Sequence, residues 1–544
     1  MGEDNLRAAA ALALQTVKAN KRMVVIVDCD CDGYTSAAIL INYLYDIFPT
    51  YIQNNLSYYM HDSKQHGLSD CIDWLLTVDN LGLVWCPDSS SNDYNEHKRL
   101  KDAGINVIVL DHHDADHISE NAIIINNQLS DYPNKSFSGA GVTWQFCRYF
   151  DKLLKTDNAD QYRDLVALGL DADMMSLTSI ETKHLITSGL ARPRNPFIVT
   201  IADKNSFSLK GKLTPIGVAF YIAPFVNSMT RSGTIEEKQL LFESMLKHCA
   251  FKVLPSTKRG HAPGETETLV EQAVRVATNV KNRQTKAQDD FLDTIETMIH
   301  RDNLLGHKVL LFCLEPGQVD KNIAGLVANK IMAKYQRPVC MLTKTTTVEQ
   351  GEKLDLPWDE WETVEHVSYA GSARGCDKTG VTDFKSICLE TGYCNYAEGH
   401  PGAFGLSINQ ENIMDFLEKT DILLEDINDE AIYYVDYIYR GEDINPYNIL
   451  DIASLDSLWG KDVDEPYVAI RNLKITPDMV TIYDKKGYTL KIQLFNRIAL
   501  LKFNATEHDC EVFQTNNTGY IEVNIVGRCN ENEWNGNITP QIFI

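Results

Sequence analysis

None of the 13 cysteines is spaced from another as CxxC. An odd number scattered along 544 residues argues against a disulfide framework and reads as free thiols in a reducing, cytoplasmic compartment. No stretch approaches 18 uncharged apolar residues, so no membrane span is expected. The opening MGEDNLRAAAALALQTVKANKR lacks the basic start and long apolar core of a signal peptide and reads as an amphipathic helix. Positive charge is scarce. Lys and Arg total 51 against 75 Asp and Glu, a net charge of -24, which argues against broad non-specific binding of polyanions while leaving room for a local basic groove. Internal repeats and low-complexity segments are absent as well. Apolar residues are plentiful at 44%, enough for the cores of three or four domains of about 150 residues each.

The first two hundred residues alternate short apolar runs with helical patterns. MVVIV at 23–27, LGLVWC at 81–86, INVIVL at 105–110 and NAIIIN at 121–126 read as strands. SAAILINYLYDIF, GAGVTWQFCRYFDKLL and QYRDLVALGLDADMM read as helices. Continuous apolar strands between helices predict a parallel α/β sheet. Residues 200 to 300 are mostly helical, with LPSTKRGHAPGET as a loop. A second α/β unit runs from HKVLLFCLE through KNIAGLVANKIMAKYQ to RPVCMLT, and carries two glycine-bearing polar loops, AGSARG at 370–375 and EGHPGAFG at 398–405. The last 110 residues or so show short alternating runs with polar turns, a small all-β barrel. The expected domains are 1–198, 199–303 (helical connector), 304–418 and 425–544.

Acidic clusters follow the strands, where ligand sites of open α/β sheets lie. Asp28, Asp30 and Asp32 in DCDCDG are two residues apart, so extended backbone would put all three carboxylates on one side, with Gly33 allowing the turn that follows. Such crowding repels unless a hard cation sits among the oxygens; the plain alternative is a solvated acidic turn. Cys29 and Cys31 would then point the other way as small buried side chains, with a soft-metal thiolate site as the alternative. DHHDAD at 111–116 adds Asp111, His112 and His113. Adjacent histidines in extended backbone face opposite ways, so one would ligate and the other would donate a proton or contact an anion. Asp88 ends a third strand, and Asp171 and Asp173 lie in LGLDADMM. Carboxylates mixed with imidazole favour Mn²⁺ and admit Mg²⁺.

In combination these motifs resemble the DHH phosphoesterase superfamily, through DCDCDGYTSA at 28–37, WCPDSSS around Asp88, Asp111-His112-His113, and ALGLDADMMSL with Asp173. Further along, SGAGVTWQF, IAPFVNSMTRSG, IAGLVANKIMAKYQRPV, GSARG, EGHPGAFGLS and NEWNG at 532–536 resemble RecJ-type single-strand exonucleases. The resemblance covers nearly the whole chain. It departs at Glu398, where a glycine is usual, and at Phe404, where an alanine is usual; both put the form of that substrate loop in doubt.

The resemblance implies a DHH domain, a helical connector, a second α/β DHH-associated domain and a C-terminal OB-like β-barrel. It implies 5′-to-3′ hydrolysis of single-stranded DNA to mononucleotides, with two divalent ions, Mn²⁺ preferred or Mg²⁺, held by Asp30, Asp32, Asp88, His112 and Asp173, and Asp28 as a sixth ligand. Asp88 is expected to bridge the ions and Asp111 to orient His112. His113 is expected to contact the phosphate or protonate the leaving group, or else to pack under the loop. A terminal phosphate would be gripped by Arg374 and His400, with backbone N–H groups at Gly371 and Gly375 around Ser372, and Arg231 would reach a backbone phosphate. Tyr488, Phe495, Phe503, Tyr520 and Trp534 are candidate stacking platforms. The expected partners are single-stranded DNA and a single-strand-binding protein or helicase, with no membrane, and the chain a monomer. Two rivals stand beside this reading. One is a phosphodiesterase for short oligonucleotides or cyclic dinucleotides; the other is a non-catalytic replication scaffold of the same fold.

Overall fold

The computed structural model describes the chain except residues 63–64, 351–362, 428–431, 442, 485–487, 515–518 and 535, and the side chains of 348–350, 363–364, 496, 514 and 534. It divides into two compact units, Met1–Lys281 with Val435–Ile544, and Asn282–Tyr434. The chain passes from the first to the second within the long helix Leu269–Arg301. No helix among the described residues is long and apolar enough to cross a membrane.

The first unit is built on five parallel strands: β1 (Arg22–Val27), β2 (Leu56–Met60), β3 (Leu81–Pro87), β4 (Asn106–Asp111) and β5 (Ile123–Asn126), in the order β2-β1-β3-β4-β5. β3 is buried along its whole length. Both faces of the sheet are covered, which explains why its strands read as continuous apolar runs rather than alternating ones. Met23, Val25 and Val27 of β1 face a core shared with helices Cys31–Ile47 and Gly139–Leu154, while Val24 and Ile26 face a second core with Leu75 and Leu100. Two expectations change here. β2, an edge strand of half-buried residues, had no apolar run to announce it. LPSTKRGHAPGET is framed by a short hairpin, β6 (Val253–Pro255) with β7 (Thr266–Thr268).

The C-terminal part of this unit is a seven-stranded sheet, β13 (Tyr437–Arg440), β14 (Tyr467–Ile475), β15 (Val480–Tyr483), β16 (Tyr488–Gln493), β17 (Ala499–Ala505), β18 (Ile521–Trp534) and β19 (Asn537–Phe543), in the order β13-β14-β18-β19-β17-β16-β15. It encloses its own core of Val468, Ile470, Leu490, Ile492, Leu500 and Ile542. Polar contacts join it to the rest of the unit. Leu177 N–H donates to the Lys461 carbonyl at 2.9 Å, Lys212 Nζ stands 2.6 Å from Asp456 and 3.4 Å from Glu531, and Lys210 Nζ donates to the Glu531 carbonyl at 2.7 Å.

The second unit holds β8 (Leu310–Leu314), β9 (Val339–Gln350), β10 (Thr363–Arg374), β11 (Cys394–His400) and β12 (Ala403–Asn409), in the order β11-β12-β10-β9-β8. Helix Lys321–Tyr335 packs through Ile323, Val327 and Ile331 on one core, and Phe384 and Phe416 fill the other. AGSARG is not a loop. Ala370 to Arg374 form the end of β10, paired with β9 and β12 on either side. EGHPGAFG is the hairpin between β11 and β12, in which His400 pairs with Ala403. Phe404 is 4% exposed, its ring 5.7 Å from that of Phe384, so this departure from the family pattern is absorbed by the core rather than by the loop.

Candidate functional site

The strands β1, β3 and β4 end side by side, and their acidic residues meet there. The expected geometry of DCDCDG changes first. The helix begins at Cys31 with Asp30 as its N-cap, the carboxylate accepting from Gly33 N–H at 2.9 Å. Asp32 therefore sits in a helical turn, and the three carboxylates do not share one extended face. Nor does Gly33 make a turn: it lies in the helix, where a Cβ would stand 2.5 Å from Asp28 Cβ, so its role is close approach.

This break in geometry separates Asp28-Asp30-Asp88 from Asp32-His112-Asp173, two sets whose ligand atoms lie within 4.8 Å of one another, and Asp88, Asp111, His112 and His113 form a further such set. Asp88 touches the first two. Its Oδ1 lies 3.3 Å from His112 Nε2, which in turn lies 3.4 Å from Asp173 Oδ2. Asp88 adopts a left-handed backbone (φ 65°) that favours glycine, a strain retained just past the end of β3. Its backbone N–H is fixed to the Leu110 carbonyl at 2.8 Å, and Gly139 leaves the space it fills, since a Cβ there would stand 2.4 Å from Asp88 Oδ1.

Burial, then the charges of Asp32 and Asp30, push the Asp88 carboxyl well above the usual range. Burial likewise raises Asp28 and Asp32, and with the charges of Asp32 and Asp30 it lifts Asp173 to about 8. Burial lowers the His112 imidazole, which keeps it neutral with a lone pair to offer. Asp28 Oδ1 and Asp32 Oδ2 are buried without a hydrogen-bond partner. A cluster of acids destabilised as anions, with unfilled oxygens and one neutral imidazole, fits hard divalent cations such as Mn²⁺ or Mg²⁺. Asp32 Oδ1 is supported by neutral donors, Ser138 Oγ at 2.8 Å and Ala140 N–H at 3.1 Å.

Asp111 bonds the ring of His113, where the expectation was the ring of His112. Its Oδ1 accepts from His113 Nδ1 at 2.8 Å and from the backbone N–H groups of His112 and His113, and its Oδ2 accepts from Ser91 N–H. Burial would raise Asp111, but the bond and charge of His113 override it and hold the carboxyl at about 2. The same bond lifts His113 to about 9. The His113 side chain is 57% exposed, so it does not pack under the loop. It lines a 430 Å³ cavity with Asp88, Asp111, Ser89, Ser91 and His66.

His66 escaped the sequence reading. It follows the unexpected edge strand β2, and its Nδ1 is 2.7 Å from Asp28 Oδ2, a bond that lifts it to about 11. Arg231, in helix Ala223–Ser232, is half-buried; burial lowers its guanidinium against the opposing charge of Asp30.

In the second unit Arg374, Gly375 and His400 line one 560 Å³ cavity, together with Asn329, Gln336 and Lys378, which the sequence did not single out. Gly371 and Ser372 are inside β10 and are not among the lining residues. The Gly375 N–H is taken by the Gly402 carbonyl at 2.9 Å and is not offered to an anion. Arg374 lies across helix Lys321–Tyr335 at Gly325, where a Cβ would meet Nη2 at 2.4 Å. In the C-terminal sheet Phe495, Phe503 and Tyr520 are more than half exposed, Tyr488 packs on the core, and the Trp534 side chain lies outside the described residues.

Residues 22–170 match the family model for the DHH family, N-terminal domain, and residues 435–544 match the RecJ OB domain. A Bacillus subtilis protein named "Putative SPbeta prophage-derived single-strand DNA-specific exonuclease YorK" is 32% identical over 99% of this chain and 90% of its own length. The single-stranded-DNA-specific exonuclease RecJ of B. subtilis is 22% identical over 99% of this chain and 63% of its own. The crystal structure of Thermus thermophilus RecJ in complex with Mn²⁺ superposes with a TM-score of 0.70 at 19% identity, covering 99% of this chain and 70% of that one, which shows a shared fold. The chain belongs to the DHH superfamily, in its family of RecJ-type single-strand-DNA-specific exonucleases.

Proposed function

We propose that the protein is a metal-dependent exonuclease that degrades single-stranded DNA from its 5′ end and releases mononucleotides. The observation that carries this is the pair of acid groups joined through Asp88 and His112. Asp28, Asp30 and Asp88 would hold one divalent ion, and Asp32, Asp88, His112 and Asp173 a second. Bound there, such ions supply Lewis-acid polarisation of the scissile phosphate and acidify the attacking water.

The chain's own residues do the rest. Asp88 and His112 keep the two groups in register. Asp111 fixes the His113 ring through Nδ1, so that its other nitrogen presents a proton to the phosphate or to the departing oxygen. In the second unit Arg374 with Lys378 and His400 receives the terminal 5′ phosphate, the planar guanidinium suiting bidentate contact. The exposed rings of Phe495, Phe503 and Tyr520 offer stacking surfaces to bases, and a single-strand-binding protein or helicase would deliver the strand to a monomeric enzyme.

Digestion of long single strands labelled at one end or the other, with Mn²⁺ or Mg²⁺, tests this reading. Mononucleotides released first from the 5′ label are expected. Release from the 3′ end alone, or faster turnover of a dinucleotide than of a long strand, refutes it.

A further inference from the structure

Beside the oxygen-rich groups lies another cluster, of different chemistry. Cys29 Sγ stands 3.7 Å from His66 Nε2 and 3.9 Å from Nδ1, and the same ring meets Asp28 Oδ2 at 2.7 Å. One sulfur, one imidazole nitrogen and one carboxylate oxygen thus lie within 4.8 Å of one another. The fold places them so because β2 neighbours β1 in the sheet, and the loop leaving β2 lies over the end of β1, where Cys29 sits between strand and helix. That loop is fastened on both sides of His66: His61 Nδ1 to Asp70 Oδ2 at 2.9 Å before it, and Leu68 N–H to Asp93 Oδ2 at 2.8 Å after it.

The geometry points to a binding site for a borderline-soft divalent cation, of the zinc or cobalt kind, held by Cys29, His66 and Asp28 and adjoining the oxygen-lined groups at Asp28. Four-coordinate zinc holds sulfur at about 2.3 Å and nitrogen at about 2.0 Å, which sets those two atoms roughly 3.5 Å apart across a tetrahedron; His66 Nδ1, the nitrogen that faces both other ligands, stands 3.9 Å from Cys29 Sγ and 2.7 Å from Asp28 Oδ2, so a small turn of this exposed ring brings it to that spacing. Thiolate and carboxylate together neutralise a divalent ion, and the imidazole contributes a neutral donor. On binding, the thiol proton and the proton between His66 and Asp28 pass to solvent. The His66 side chain is 54% exposed, which gives the ion a path in and leaves room for a water as fourth ligand. Hard ions do not select this set, because thiolate favours softer metals. Asp28 Oδ1 has no hydrogen-bond partner, so the same carboxylate can serve the neighbouring Asp30-Asp88 group while Oδ2 serves this one. A soft ion would therefore be coupled to the oxygen-lined site through one shared residue.

The test needs no nuclease activity. The full chain, stripped of metal and then saturated with Mg²⁺ to fill the oxygen-rich groups, is titrated with Co²⁺ while the thiolate-to-cobalt charge-transfer absorption is followed. One Co²⁺ per chain with that absorption is expected. Cys29→Ser should abolish it, Cys31→Ser should retain it, and His66→Gln, a change at an exposed side chain, should weaken Co²⁺ binding about tenfold or more. A wild-type chain without the absorption, an absorption that survives Cys29→Ser, or equal Co²⁺ affinity in His66→Gln each overturns the proposal.

Discussion

The cavity at the ends of β3 and β4 and the cavity beside Arg374 are opposite in charge and in construction. The first adjoins the short acids of the strand ends and the helix start, which are fixed mainly by backbone N–H groups and hydroxyls. The second carries its charge on the long side chains of Arg374 and Lys378, among mostly uncharged lining residues, and Arg374 reaches from the end of β10 across helix Lys321–Tyr335. A short side chain in a packed interior has nowhere to go when disturbed, whereas a long one can swing aside. The first site therefore holds geometry, and the second holds charge. The same change should hurt the first far more.

Removing the shared acid should have the largest effect. Asp88→Ala is expected to lower turnover by at least about a thousandfold, the several kcal/mol expected when metal-assisted charge stabilisation is lost. Binding of a single strand should survive, and the rise in melting temperature that Mn²⁺ gives the wild type should shrink. Kinetics, strand-binding titration and thermal scans in parallel check all three. Turnover close to wild type would break the comparison at its root.

Gly139→Ala tests rigidity without removing any ligand. The added Cβ would stand 2.4 Å from Asp88 Oδ1, so about a hundredfold loss of kcat is expected with little change in KM, if a shift of about an ångström in a catalytic group is the result. Strand binding that weakens as much as turnover would show the damage to be general.

Arg374→Ala should cost less, roughly ten- to a hundredfold in kcat/KM, as fits the loss of one charged hydrogen bond of about 1.5–3 kcal/mol. The penalty should be greater on a 5′-phosphorylated strand than on a 5′-hydroxyl strand. Equal losses on both ends would remove Arg374 from the terminal-phosphate role. Its companion Gly325→Ala meets chiefly the far end of the guanidinium, at 2.4 Å, with Ser372 Oγ at 3.3 Å, and should change kcat/KM a few-fold at most. A loss as deep as that of Gly139→Ala would contradict the contrast between the two sites.

The smallest effect on activity is expected outside both cavities. His97 is fully buried in helix Tyr94–Asp102, and burial lowers its imidazole to about 4. The unfolded chain then binds a proton below about pH 6.5 that the folded chain refuses until about pH 4, so stability is lost as pH falls through that window, by at most about 3 kcal/mol. His97→Phe should flatten denaturation curves between pH 6.5 and 4 and leave turnover at neutral pH unchanged. An unchanged pH slope would assign the acid sensitivity elsewhere.

The acid site was far more legible in the sequence than the cationic one, and for a physical reason. Strand ends are announced by apolar runs such as MVVIV and INVIVL, so Asp28, Asp88 and Asp111 could be placed on one sheet edge from pattern alone. What the pattern hid was the exact point where strand becomes helix. Cys31 starts the helix one residue before Asp32, and that single step separates Asp32 from Asp28 and Asp30. The bond from Asp111 to His113 rather than His112 was hidden too, because adjacent side chains at a strand end are sorted by local turns. His66 was lost with β2, whose half-buried residues carry no apolar run. Arg374 was found only through resemblance: nothing in GSARG distinguishes a strand end from a loop, and the pairing that makes it a strand comes from β9 and β12.

The second unit is an insertion. The chain leaves the first unit at Lys281 and returns to it at Val435, so Asn282–Tyr434 interrupts a body that is finished only by the last 110 residues. A ribosome making this protein releases the whole inserted unit before it has supplied β13 to β19. Leu177, Lys210 and Lys212, which receive that sheet, are made more than 240 residues before their partners at Asp456, Lys461 and Glu531. During synthesis the acid-bearing sheet can therefore form early, while the surface that docks the C-terminal sheet stays bare until the whole inserted unit has been made.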